Sequence, residues 1–273
     1  MMKAEDPIGV FDSGIGGLTV VREIISLMPH ENIVYFGDTA RVPYGNKSAE
    51  VVRQYAAQDV KFLLSKNVKM IVVACNTASA VALDVVRAIS PVPTIGVIQP
   101  TAAEAINHIK SKGIGVIGTL STINSCAYTS ELKKNNKKIP IFSRACPLFV
   151  PLAEEGLFDH PATEILAREY LSDFVGKIDV LILGCTHYPL LKKPISNVLG
   201  KNVVLIDAGE ATAKAVKDSL GNRGLLNQST TKPLYKFYVS DFPQKFNEIA
   251  ENFLGRKLEN VSKVHISSNG EIM

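Results

Sequence analysis

Apolar positions in this chain fall into two alternating regimes. In one they form short, nearly unbroken runs: Ile33–Phe36, Met70–Val73, Thr94–Val97, Ile114–Ile117, Val180–Leu183 and Val203–Ile206. Runs of that length read as strands buried on both faces of a parallel sheet. In the other regime the spacing is helical, as in Leu18, Val21, Ile25 and Met28, closed by Pro29. Ser48 is placed to cap a second helix that carries Val52, Ala56, Val60 and Leu63 on one side. A further strand over Leu234–Val239 and a helix running towards Leu254 close the chain. The alternation predicts a doubly wound α/β fold with mainly parallel sheets.

The pattern also repeats. Ile8-Gly9-Val10 recurs as Ile114-Gly115-Val116, and an apolar run ending in a cysteine and a Thr-bearing turn follows each: Val72-Val73-Ala74-Cys75-Asn76-Thr77 and Ile182-Leu183-Gly184-Cys185-Thr186-His187. From Ile8 to Cys75 is 67 positions and from Ile114 to Cys185 is 71. Either match alone is common in parallel sheets; the shared spacing points to an internal duplication. Two pseudo-symmetric α/β domains are therefore expected, with boundaries near Ile98–Pro100 and Asp207–Gly209. Residues 1–98 with 209–273 would form one domain, carrying Asp12 and Cys75, and residues 99–208 the other, carrying Glu154, Cys185 and His187. Ligands of such sheets sit beyond the carboxyl ends of the strands, which puts the site in the cleft between the domains.

Composition narrows the class. With 273 residues, 46% hydrophobic and 21% charged, the chain can bury one large core or two modest ones. The net charge of +4 is dispersed, and the one dense basic run, Lys133–Lys138, reads as a solvated loop rather than a nucleic-acid site. The N-terminus lacks the apolar core of a secretory signal and no run reaches the ~20 residues of a membrane helix, so a cytoplasmic protein without membrane contact is expected. The four cysteines include no C-x-x-C pair, which argues against zinc or thioredoxin-like chemistry and for free thiols. Cys126 and Cys146 lack the polar turn and are expected to be buried packing residues.

The loops at the strand ends carry the chemistry. Asp12-Ser13-Gly14-Ile15-Gly16-Gly17 is a glycine-rich strand-to-helix turn, but its spacing matches neither a P-loop nor the G-x-G-x-x-G fingerprint. Asp12 alone reads equally as nucleophile, general base or turn former. A second loop, Gly37–Gly45, offers hydroxyls and Arg41, and its Tyr44 reads first as a half-buried wall residue. A thiol one step before a helix has its pKa lowered by the helix dipole from ~8.5, so thiolate is expected near neutral pH at Cys75 and Cys185. His187, two residues beyond Cys185, can exchange its proton; Asp12 is the expected counterpart in the other half. Two opposed thiols can take a proton from one face of a Cα and deliver another to the opposite face. Ser13, Asn76, Thr77, Thr186 and backbone amides would stabilise the enolate-like carboxylate that forms.

With Phe11–Leu18, Gly37–Gly45, Val73–Ser79 and Leu183–Leu190 in hand, the chain resembles the glutamate racemases of the aspartate/glutamate racemase family along nearly its whole length. The resemblance implies cofactor-independent interconversion of L- and D-glutamate for bacterial peptidoglycan, with Cys75 and Cys185 as the two acid/base residues. It implies substrate contacts from Asp12, Ser13, Tyr44, Gly45, Asn76, Thr77, Thr186 and His187, and help in proton transfer from Asp12 and His187. It places Glu154 near the site, although Glu155 adjoins it. Many members are homodimers, in arrangements that differ. No lysine stands in the motif loops to form a pyridoxal Schiff base, so neither cofactor nor metal is expected. Three rivals remain at this point. An aspartate racemase would keep both cysteines but not Gly184–Pro189, a non-catalytic amino-acid-binding protein would tolerate loss of either thiol, and an Asp12-centred phosphatase would need a second carboxylate that the first loop lacks.

Overall fold

The structure, a computed structural model, describes residues 2–135, 138–258, 261–267 and 271–273. Among the described residues ten strands follow in order: β1 Ile8–Asp12, β2 Ile33–Gly37, β3 Met70–Val73, β4 Thr94–Gly96, β5 Gly113–Gly118, β6 Ile141–Ala145, β7 Ile178–Gly184, β8 Val204–Asp207, β9 Tyr235–Val239 and β10 Val261–Lys263. They form a six-stranded sheet, ordered β10-β9-β2-β1-β3-β4, and a four-stranded sheet, ordered β6-β5-β7-β8. Every pairing within the two sheets is parallel. The fold is thus α/β with two parallel sheets, as the apolar runs predict.

The duplication is visible in the register. The order β2-β1-β3-β4 in one sheet matches β6-β5-β7-β8 in the other. Ile8 pairs with Met70 and Ile114 with Val180, and each cysteine stands five residues beyond that partner. The four extra positions in the second copy therefore lie in the connection between strands and leave the sheet unaffected. Gly9 and Gly115 occupy equivalent places, and both allow close packing: a Cβ at Gly9 would stand 2.9 Å from Val68 Cγ1, and one at Gly115 2.8 Å from Leu181 Cδ1.

The predicted helices form where expected. The first spans Leu18–Leu27; of its predicted stripe Leu18 and Val21 are fully buried, Ile25 is half-buried and yields the buried place to Ile24, and Met28 is buried just past the helix end. In the second, Ala49–Leu64, the Ser48 hydroxyl accepts from Val51 N at 3.4 Å, and Val52, Ala56, Val60 and Leu63 all have zero exposure. After β8 the carboxylate of Asp207 accepts from Gly209 N (2.7 Å) and caps the helix Ala208–Gly221, which packs on both Leu18–Leu27 and Ile98–Asn107. The chain then returns, pairing β9 with β2 and laying the helix Pro243–Leu254 on Leu18–Leu27.

Strand β1 enters the sequence reading only through the repeated triplet Ile8-Gly9-Val10, and two strands escape it altogether, β6 and β10. Both are sheet edges whose residues are half-buried or exposed, so nothing in them requires continuous apolar sequence. Two further expectations need correction or limits. Cys126 is exposed rather than buried, held at φ 54 just before the helix Ala127–Asn135, whereas Cys146 is buried. The basic run is not wholly a loop: Lys133 and Lys134 lie in the last turn of that helix, both they and Lys138 are exposed, and Lys134 pairs with Glu131 at 2.6 Å; Asn136 and Lys137 lie outside the described residues. Among the described residues no helix is long and apolar enough to cross a membrane.

Candidate active site

Parallel sheets leave loops and helix N-termini at the carboxyl ends of their strands, and here those edges of both sheets face one small cleft. A cavity of about 50 Å³ is lined by Ser13, Gly14, Val42–Gly45, Cys75–Thr77, Thr119, Val150, Glu154 and Cys185–His187. Both motif cysteines thus open on the same space, each only 5% exposed. A groove of about 370 Å³ along Lys232–Tyr235 and Arg256–Leu258 is larger, but it contains neither thiol nor imidazole.

Cys75 is the cap of the helix Asn76–Val81: its sulfur accepts from Ala78 N at 3.4 Å and lies 3.7 Å from the Ser13 hydroxyl. Those contacts favour thiolate, yet they lose. Burial, followed by the charge of nearby Asp12, pushes the Cys75 thiol up to about 12. The expected helix-lowered pKa is therefore corrected: the Cys75 thiol is held neutral near neutral pH, because desolvation outweighs one short helix. The second half differs again. Cys185 is followed by a turn and the 3₁₀ segment Tyr188–Leu191, so no α-helix begins directly at this thiol. Its neighbour is His187, whose Nδ1 lies 3.8 Å from Cys185 Sγ and whose Nε2 lies 2.9 Å from Glu154 Oε1. Burial alone would depress the imidazole, but the contacts with Cys185 and Glu154 outweigh it and push His187 up to about 10. At neutral pH this ring carries both protons. The ambiguity between the adjacent acids resolves: Glu154 reaches His187, and Glu155 is exposed at the helix end.

Asp12 is fully buried, and burial, only partly offset by His187, raises its pKa. One of its oxygens accepts from Gly14 N at 3.0 Å. The other, Oδ1, has no partner, and neither has Asn76 Nδ2; among the described residues these are the two buried side-chain polar atoms without one. An orphan of this kind costs about 1–3 kcal/mol; Asn76 lines the cavity, whereas Asp12, expected from the sequence to touch the substrate, is set back from its wall. Tyr44 is buried more deeply than a half-buried wall residue, at 1% exposure, and its hydroxyl is bound to Asp38 and, at 2.9 Å, Asp59. Arg41 bonds the same two carboxylates and lies 4.2 Å from the centre of the Tyr55 ring. Neither Arg41 nor any lysine lines the cavity, so an anion there would meet hydroxyls, amides and the His187 imidazolium.

Superposing the two copies by register also exposes what sequence reading missed. Ser13 and Thr119 each stand five residues beyond the first residue of the repeated triplet, and Thr119 lines the cavity as Ser13 does. Its hydroxyl is 2.9 Å from those of Thr77 and Thr122, a cluster built across the two sheets. Running the duplication forward from Ser13 would have found it. By the same register Asp12 matches Gly118 and His187 matches Thr77, so Asp12 and His187 are not positional counterparts. The thiols are related by the repeat; their helpers are not. A Cβ at Gly16 would stand 2.5 Å from His187 Nδ1, and Phe253 sets its ring edge-on against the same imidazole, 5.3 Å between centres. Both keep the imidazole in place. Among the described residues no group of three or more His, Cys, Asp or Glu side chains converges to hold a metal.

Known proteins align with this arrangement. The Asp/Glu/Hydantoin racemase family matches residues 9–216. The chain is 51% identical over 265 residues to a glutamate racemase of Chlorobaculum tepidum, covering 96% of this chain and 97% of that one. It is 49% identical over 261 residues to one of Syntrophus aciditrophicus, covering 95% and 97%. The crystal structure of the Francisella tularensis glutamate racemase in complex with D-glutamate superposes with a TM-score of 0.91 at 44% identity, covering 97% of this chain and 99% of that one. Profile, near-full-length identity and superposition agree: this chain belongs to the Asp/Glu/Hydantoin racemase family and is a racemase, an isomerase.

Proposed function

We propose that the chain interconverts L- and D-glutamate without a cofactor by two-base proton transfer at Cα, supplying D-glutamate for peptidoglycan in the cytoplasm. The carrying observation is that two buried thiols, at equivalent strand ends of two sheets, open on one cavity. The substrate class is supported by relatives named glutamate racemase and by the Francisella tularensis protein's complex with D-glutamate. We take residues 1–98 with 209–273 as one domain and 99–208 as the other, the substrate lying between them.

In this reading one sulfur, as thiolate, removes the Cα proton while the opposite thiol gives its own proton to the other face. The C–H bond on one side breaks, a C–H bond on the other forms, and thiol and thiolate have changed places. Cys75, held as a neutral thiol by burial, is ready to donate. The imidazolium of His187, anchored by Glu154, stands beside Cys185 to exchange a proton with that sulfur, and Asp12 serves near Cys75. Asn76 Nδ2 on the cavity wall suits a carboxylate, and the buried Asp12, set back from that wall, offers a negative field for an ammonium. Ser13, Thr77, Thr119, Thr186 and the backbone of Gly45 supply neutral contacts for the carboxylates, where preorganised donors stabilise developing enolate charge. Tyr44 contributes its ring, since its hydroxyl is already bound to Asp38 and Asp59.

The test is the purified chain with L-glutamate and no added cofactor. D-glutamate accumulates to equal amounts of the two enantiomers, and Cys75→Ala or Cys185→Ala abolishes this while the fold persists. Turnover retained in either variant, or turnover of aspartate in place of glutamate, would defeat the reading.

A further inference from the structure

Asn76 poses a problem that its own loop does not solve. A side-chain amide presents a donor on one edge and an acceptor on the other, and only one of these suits an anionic ligand. Asn76 follows β3 of the six-stranded sheet, and no neighbour in its own loop fixes its amide. The partner that does comes from the other half: Tyr128, on the helix Ala127–Asn135, donates its hydroxyl proton to Asn76 Oδ1 at 2.7 Å. With the carbonyl so engaged, Nδ2 is the edge left over, and it is the buried donor without a partner on the cavity wall. The same tyrosine touches the second cysteine loop. A Cβ at Gly184, the residue before Cys185, would lie 3.1 Å from Tyr128 Cε2, so the ring lies close against that backbone. One buried side chain therefore spans both cysteine loops, packing against one and hydrogen-bonding the other. Burial raises the Tyr128 pKa, which keeps the hydroxyl a donor over the working range.

We infer that Tyr128 is a positioning residue for racemisation: across the cleft it fixes the Asn76 amide with its NH2 towards the substrate carboxylate. It does this while gauging the separation of the two cysteine loops. The inference rests on the proposed racemisation and adds to it a residue that never touches substrate. Because the hydroxyl belongs to one half and the amide to the other, the donor is set only when the two halves are in register.

Tyr128→Phe removes one oxygen and keeps the ring. In the full chain it raises KM for both glutamate enantiomers about tenfold, leaves kcat within threefold and leaves the melting temperature within a few degrees. Adding Asn76→Ala to Tyr128→Phe then worsens KM by less than twofold, because the amide is already unset. An unchanged KM in Tyr128→Phe, a parallel loss of kcat and thermal stability, or fully multiplicative effects of the two substitutions would overturn the proposal. Asn76→Asp gives a second arm should Tyr128→Phe fail to fold. It keeps an acceptor for Tyr128 but turns an anionic edge to the cavity, and KM rises more than a hundredfold; a KM within threefold of the parent overturns the claim. If the parent chain itself fails to racemise glutamate, the proposed activity falls alone. The Tyr128 claim is then read from the Asn76 side-chain NH2 resonances, which Tyr128→Phe shifts and speeds in exchange; unaltered resonances refute it.

Discussion

His187 shows how two contacts outweigh burial in deciding one proton. Burial works against the charged imidazole, but Glu154 at Nε2 and Cys185 at Nδ1 raise its pKa from the ordinary 6.5 to about 10. The folded value lies above the unfolded one, so the stabilisation is fully present below pH 6.5 and is lost as pH rises through 10. Glu154→Gln keeps a hydrogen bond but removes the charge. We expect the His187 titration, followed by NMR, to move down by at least about one unit, roughly 1.4 kcal/mol of lost preference for the imidazolium. A titration that stays near 10 would show that Glu154 is not the partner that matters. Cys75 teaches the converse. Its place ahead of a helix was legible in the sequence, but the degree of burial was not, and burial decided its protonation state.

At the scale of elements, the turn between β1 and the helix Leu18–Leu27 matters because another loop leans on it. Gly16 faces Thr186 and His187 so closely that a methyl has no room. Gly16→Ala is expected to displace the imidazole and lower kcat/KM by about 10²-fold, as misplacements near 1 Å do, with little change in the Leu18–Leu27 helix; near-normal kinetics would contradict this. At the opposite end of the six-stranded sheet the Lys69 ammonium, with zero exposure, pairs with Glu31 and bonds the carbonyls of Ala4 and Leu225, while Glu31 accepts from Asn227 N. This ties the N-terminus, the approach to β2 and the segment before β9 together. Removing one partner of such a buried pair costs about 3–5 kcal/mol. Lys69→Met should therefore lower the melting temperature by roughly 10 °C without altering KM, and thermal unfolding with kinetics checks both halves of that statement. Central strands and their helices could be read from the sequence because complete burial demands continuous apolar runs. Edges β6 and β10 could not, since half of each faces solvent and polar residues are tolerated.

Over the whole molecule, the duplication was the most productive signal. Ile-Gly-Val, the strand and the cysteine keep the same register in both sheets, so the position of each thiol could be read before any coordinates. What the repeat could not disclose is its asymmetry: one thiol beside an acid and capping a helix, the other beside an imidazolium and a turn. Thr119 and Tyr128 were missed for related reasons. Thr119 becomes visible only when the copies are superposed, and Tyr128 acts from a helix outside both cysteine motifs. The division of labour follows from the architecture. On the proposed mechanism, two similar halves supply acid and base from opposite sides, and unlike neighbours tune each to its turn.

The most direct measurement of two opposed bases is the isotope content of each enantiomer when the chain turns over glutamate in D₂O. During early conversion the account predicts deuterium at Cα of the newly formed enantiomer, while the remaining starting enantiomer stays protiated. A single base returning its proton to either face would label both pools equally from the outset, and that result would contradict the assignment of Cys75 and Cys185.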